Sequence, residues 1–239
     1  MEIDLSGEVV IVTGAVGALG SAVSQAFRQA GAKVAYVDRA NERMERVAAK
    51  VADDPEHNLV VCADLMTLKG AEQMASEVSD HFGAIDVLVN TVGGYRAGKA
   101  LHETPVETWD LMMDLNARTV YNTCKSVIPY MLRSQSGAIV SVAARPALAG
   151  KEKMAAYSVS KAAVLRLTES MAAELRAADI RVNCVIPGTI DTPANRKDMP
   201  DADASRWVKP ESLAGVILFL CSDMARDITG AAVPVYGRS

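Results

Sequence analysis

Short, unbroken apolar runs alternate with helix-length amphipathic segments along almost the whole chain. The runs at 9–13, 33–38, 59–63, 87–90, 138–144, 181–186 and 232–236 are expected strands. Helical periodicity predicts a helix from the first strand through Ala30, then helices at 42–52, 68–82, about 106–134, 155–177 and 211–221. Strands with no polar face must be covered on both sides. The pattern therefore predicts a parallel sheet with helices on each face, a doubly wound α/β domain. No linker, low-complexity segment or internal repeat divides the 239 residues, so residues 1–239 are expected to form a single domain.

Composition excludes several classes. The net charge is −4, which offers nothing to nucleic acid or an anionic membrane surface. No apolar run approaches the roughly 20 residues of a membrane span. The opening Met1-Glu2-Ile3-Asp4-Leu5 is acidic and reads as no secretory leader. Cys62, Cys124, Cys184 and Cys221 are far apart, as expected of reduced and mostly buried thiols in a cytoplasmic protein. His57, His81 and His102 have no metal-ligand spacing, so no metal site is expected. Met112, Met113, Met131, Met154 and Met171 read as core or interface filling.

A dinucleotide site is expected where the first strand meets the first helix. Thr13-Gly14-Ala15-Val16-Gly17-Ala18-Leu19-Gly20 supplies glycines for a tight turn and for close backbone approach to phosphate. The helix N-terminus behind it presents free N–H groups and partial positive charge to a pyrophosphate. A glycine turn alone is weak evidence, but the strand–turn–helix context of a Rossmann fold strengthens it. Asp38, which ends the second strand, can bind both ribose hydroxyls and repel a 2′-phosphate, favouring NADH over NADPH. Arg39, next in sequence, tempers that preference and leaves NADPH as an alternative. Asp64-Leu65 follows the third strand, where Asp64 suits either adenine contact or a helix N-cap. Asn90 to Gly94 ends the fourth strand at the same carboxyl edge, where ligands bind in such sheets.

Tyr157 and Lys161 lie four apart on a predicted helix and so share a face. A free phenol, with a pKa near 10, donates a proton poorly at neutrality, and a neighbouring ammonium lowers that value. The pair suits general acid–base work, although Tyr-x-x-x-Lys by spacing alone is common on helices.

The ordered set resembles the short-chain dehydrogenase/reductase family over essentially the full chain. It comprises the Gly-rich turn, Asp64, Asn90 to Gly93, Asn116, Tyr157, Lys161 and Pro187-Gly188 with Thr192. The resemblance implies that Tyr157 is the proton donor, that Lys161 also holds the nicotinamide ribose, and that Asn116 orders a relay water. It also implies that Pro187, Gly188, Thr189 and Thr192 contact the nicotinamide. Two positions depart from the pattern. The central glycine of the turn is Gly17 rather than residue 18, and the catalytic serine position, thirteen before the tyrosine, is Ala144. Ser141 is no substitute, because three positions along a strand put it about 10 Å away on the opposite face.

A narrower resemblance accounts for both departures. The chain is similar to the quinonoid dihydropteridine reductases, a branch that lacks the serine. The similarity rests on Gly14-x-x-Gly17-Ala18-Leu19-Gly20-Ser21, Gln25-Ala26-Phe27-Arg28, Val37-Asp38 and Val92-Gly93-Gly94-Tyr95. Its most specific part is the stretch Asp191-Thr192-Pro193-Ala194-Asn195-Arg196-Lys197-Asp198-Met199-Pro200-Asp201-Ala202-Asp203, followed by Trp207. Asn116 instead follows the wider family. The Pro-rich segment 192–210 resembles an irregular lid, or else a surface loop whose aromatics merely pack. Tyr95 and Trp207 are expected to sandwich a flat heterocycle beside Ala144. The expected reaction is hydride transfer to a small conjugated substrate, best quinonoid dihydropterin. The alternatives are a carbonyl or 3-oxoacyl reductase and a non-catalytic NAD(H)-binding protein. The resemblance further implies a homodimer or homotetramer built on the helices near 106–134 and 155–177.

Overall fold

A computed structural model of the chain describes residues 3–238. Met1 and Glu2 of the acidic N-terminal stretch, and Ser239, lie outside the described residues. Seven strands form one sheet: β1 (Val9–Thr13), β2 (Lys33–Asp38), β3 (Asn58–Cys62), β4 (Val87–Asn90), β5 (Gly137–Val142), β6 (Ile180–Pro187) and β7 (Ala232–Val235). Their order is β3-β2-β1-β4-β5-β6-β7, and every pairing is parallel. The chain reverses direction across the sheet between β1 and β4, which opens a crevice at their carboxyl ends.

Among the described residues there are eight α-helices: α1 (Ala18–Gln29), α2 (Glu42–Val51), α3 (Leu68–Phe82), α4 (Val106–Met112), α5 (Thr119–Ser134), α6 (Ala155–Leu175), α7 (Pro193–Asp198) and α8 (Pro210–Cys221). Alternation along the strands divides the core. Val9 and Ile11 of β1 join Met74, Val127 and Leu165 on the α3/α5/α6 face. Val10 and Val12 join Val23, Phe27, Leu213 and Ile217 on the α1/α8 face. This is the doubly wound parallel sheet that apolar strands with helical connections require.

Two expectations need correction. The helix expected over 106–134 is interrupted, since Met113–Arg118 forms a π-helical turn between α4 and α5. Such turns insert a residue into the helical ladder and are frequent at functional sites; this one contains Asn116. Segment 192–210 is not irregular. It contains α7 and a 3₁₀ turn at Ala204–Arg206, and a bridge between Ile190 and Val208 closes its base.

Among the described residues no helix is long and apolar enough to cross a membrane, and no cluster of His, Cys, Asp or Glu suits a metal. Cys124, Cys184 and Cys221 are buried thiols, while Cys62 is exposed.

Phe27 is fully buried between α1 and the sheet. Phe27→Ala should therefore cost about 3–5 kcal/mol, seen as a lower urea midpoint with an unchanged m value.

Candidate active site

The glycines of the first turn hold its shape. Gly14 has φ +68°, and a Cβ there would sit 2.9 Å from the Thr91 hydroxyl and 3.0 Å from the Val92 nitrogen. A Cβ on Gly20 would come within 2.1 Å of the Gly14 carbonyl oxygen, so the start of α1 rests directly on the turn. Gly17 donates its N–H to the Gly14 carbonyl at 3.0 Å and begins α1 with no side-chain cap. The first N–H groups of the helix are thus left for an anion.

In front of this turn lies a cleft of about 600 Å³. It brings together Gly14, Gly17, Asp38, Arg39, Asp64, Leu65 and Gly93 from the expected set. Asp38 accepts the Arg39 N–H at 2.8 Å, and Asp64 accepts that of Met66 at 3.1 Å. The N-cap of α3 is Thr67 rather than Asp64, which leaves the Asp64 side chain in the cleft wall. A narrow glycine cradle, an uncapped helix and an acid at the ribose end of such a cleft fit a nicotinamide dinucleotide.

Not every expected residue lines that cleft. Leu19 is buried in the core beneath it. Ala18 faces a neighbouring cavity of about 370 Å³. Asn90 is buried, donating to the Ser141 hydroxyl at 3.2 Å and accepting from Thr123 at 2.8 Å. The Asn90 side chain therefore braces the sheet and is not presented to a ligand. Ser141 is fully buried against Asn90 within the sheet, which keeps its hydroxyl from replacing a donor at Ala144. Pro187 ends β6, Gly188 donates to the Val235 carbonyl, and Thr189 accepts from Val208. Thr192 spends its hydroxyl capping α7 at the Asn195 N–H, 3.1 Å away. This segment borders the lid and does not wall the larger cleft.

Gly93 connects the cleft to the expected catalytic group. A Cβ there would lie 2.9 Å from Asn116 Oδ1 and 3.2 Å from Lys161 Nζ. Asn116, wholly buried in the π-turn, accepts the Gly94 N–H at 2.9 Å and donates to the Gly94 carbonyl at 3.1 Å. It also donates to the Ser160 hydroxyl at 3.0 Å, and Ser160 donates to the Tyr157 carbonyl at 2.8 Å. Both N–H donors of its carboxamide are therefore taken. The side chain acts as a clamp between the end of β4 and the first turn of α6.

Lys161 is buried and donates to the Val142 carbonyl at 2.8 Å. Burial holds its ammonium down to about 8. The Tyr157 phenol is pushed up to about 12, chiefly by burial and further by the neighbouring Tyr95. This corrects the expectation that Lys161 depresses Tyr157. Lys161 is buried and Tyr157 partly so, and each resists its charged form. Tyr95, half exposed, packs edge-on against Tyr157 with ring centroids 4.9 Å apart. Trp207 is buried beside the Ile190–Val208 bridge, so the ring that Tyr95 meets is Tyr157 rather than Trp207. Ala144 is buried and starts a 3₁₀ turn, with a methyl group and no donor.

Sequence reading missed Asn41, Arg43, Leu115 and Thr119 in the cleft wall, and Ser160 behind Asn116. Asn41 had a signal: an Asn before a helical run is a typical N-cap, and it caps α2. Leu115 and Thr119 reach the cleft only because of the π-turn.

The short chain dehydrogenase family model matches residues 8–203. The chain is 32% identical to 3-oxoacyl-[acyl-carrier-protein] reductase FabG of Thermotoga maritima, over 98% of each. It is 34% identical to 2-(R)-hydroxypropyl-CoM dehydrogenase of Xanthobacter autotrophicus, over 96% of this chain and 97% of that protein. The crystal structure of gox2181 superposes with a TM-score of 0.91 at 27% identity, covering 98% of this chain and 96% of that one. The chain belongs to the short-chain dehydrogenase/reductase family, oxidoreductases that use NAD(P).

The clamp can be tested directly. Asn116→Ala strands the Gly94 N–H and carbonyl and should cost about 1–3 kcal/mol in urea denaturation. Asn116→Asp, similar in shape but without N–H donors, should not restore it.

Proposed function

We propose that this oxidoreductase reduces a small conjugated substrate with NADH, and that quinonoid dihydropterin fits best. The observation that carries this reading is Ala144: a methyl group stands at the donor position, while Lys161 is kept behind Gly93 of the cleft and Tyr157 packs against Tyr95 on the same loop. In carbonyl reduction, charge collects on one oxygen, and removing one donor to it costs on the order of 10²–10³ in rate. A quinonoid dihydropterin spreads incoming electron density over conjugated nitrogens and regains an aromatic ring, so it needs that donor less.

The nicotinamide dinucleotide supplies the hydride when bound. Gly14, Gly17, Ala18, Leu19 and Gly20 would receive its diphosphate, and Asp38 its adenosine ribose. Asp38 favours NADH, and Arg39 beside it lets NADPH serve less well. Tyr157 is the proton donor: its phenol, pushed up to about 12, carries the proton at neutral pH and gives it up only where a nearby cation steadies the phenolate. Lys161, mostly ammonium below about 8, offsets the phenolate left after donation and holds the nicotinamide ribose. Asn116 fixes the Gly93-Gly94 loop against both and positions the relay water. Tyr95 and Ala144 form the substrate wall, and Trp207 anchors the lid. A homodimer or homotetramer fits the exposed Val106, Trp109, Tyr121 and Val159 on α4–α6.

Reduction of a ketone or a 3-oxoacyl thioester is a second reading, favoured by the name of the Thermotoga relative; Ala144 weighs against it. A purely NAD(H)-binding role leaves Tyr157 and the buried Lys161 without a purpose.

Tyr157→Phe should abolish most NADH oxidation with quinonoid dihydropterin generated in the cuvette, leaving NADH affinity nearly unchanged. A variant with wild-type kcat would remove Tyr157 from the reaction. The pH profile gives a separate check. Lys161 loses its proton as pH rises through about 8, so kcat/KM for NADH should fall across that value. A profile flat well into the alkaline range would contradict the role of Lys161.

A further inference from the structure

The turn meant for the diphosphate, Thr13 to Gly20, contains no ionisable side chain. The cations of the large cleft, Arg39 and Arg43, stand beside Asp38 at the other end. A dinucleotide diphosphate carries two negative charges, and a helix terminus contributes only about half a unit of positive charge. The adjoining cavity of about 370 Å³ supplies what the turn lacks. Its lining includes Ala18, the first residue of α1, together with Arg196 and Lys209.

Arg196 lies on α7 in the lid. It is paired with Asp191, Nε to Oδ1 at 2.6 Å and a terminal nitrogen to Oδ2 at 2.9 Å. The two partners differ in exposure: the Asp191 side chain is 19% accessible and that of Arg196 is 61%. The carboxylate is thus a fixed anchor, and the guanidinium is an open fork. Two of its five N–H groups are engaged and the remainder can serve a second acceptor. Glu211 is the other acid on the cavity and sits in the first turn of α8, where the helix dipole favours it.

We propose that Arg196 is a diphosphate clamp for the cofactor, with Asp191 as the anchor that holds it over the α1 N-terminus. Cofactor binding then fastens the lid, because the same residue belongs to α7 and to the phosphate site. The proposal needs only the family's use of NAD(P), and it stands whichever substrate is reduced.

The test is calorimetric titration of the full chain with NADH and with adenosine, which lacks the diphosphate, at low and high salt. Arg196→Gln should weaken NADH by about tenfold and flatten its salt dependence, as expected for one lost charge-assisted contact, while adenosine binding stays unchanged. Asp191→Asn removes the anchor's charge but keeps one oxygen to accept from Arg196 and leaves the guanidinium in place, so it should weaken NADH less, by about threefold. Two outcomes would overturn the proposal. One is an Arg196→Gln variant with wild-type NADH affinity. The other is an equal loss in both variants, which would make the pair a strut of the lid and not a ligand. Because binding is read without turnover, failure here is separable from failure of the pterin reading.

Discussion

Asn116 buries its carboxamide inside a π-turn and spends it on Gly94 and Ser160. The end of β4 and the first turn of α6 are therefore held as one piece. Gly93, at the floor of the cofactor cleft, lies too close to Asn116 and Lys161 to carry a side chain. The cleft and the residues around Lys161 meet at this contact. An ordinary α-helical turn would place Leu115, Asn116 and Thr119 on different bearings. The irregular turn aims Leu115 and Thr119 into the cleft and Asn116 into the core.

On that frame the chemistry depends on burial. Burial raises the pKa of Tyr157 and lowers that of Lys161. The tyrosine keeps its proton, and the lysine can exchange its own near neutrality. With Ala144 at the third position, the pair lacks the second donor that stabilises charge on a single oxygen. A substrate that disperses its charge needs only what remains.

Much of this was legible in the residues. Apolar strands gave the parallel sheet and its strand ends within a residue or two, because the period of burial is written directly into Val, Ile and Leu. Gly14, Gly17, Asp38, Asp64 and Gly93 converge on one cleft because all follow strand ends at one edge of the sheet. The rest depended on three-dimensional context. Helical periodicity cannot distinguish a continuous helix from one with a π-turn, so the clamp made by the Asn116 side chain was hidden. Tyr-x-x-x-Lys spacing suggested a depressed phenol, but burial decides the sign. Asn90 and Trp207 were placed near ligands by motif, and the structure commits both to the interior.

The central claim is that Ala144 marks the class of substrate. The decisive measurement is a comparison of kcat/KM for quinonoid dihydropterin and for a 3-oxoacyl thioester in wild type and in Ala144→Ser. The account predicts fast pterin reduction by the wild type, little affected by the added hydroxyl, and weak thioester reduction that the hydroxyl improves. Efficient thioester reduction by the wild type, with no pterin rate above background, would contradict it.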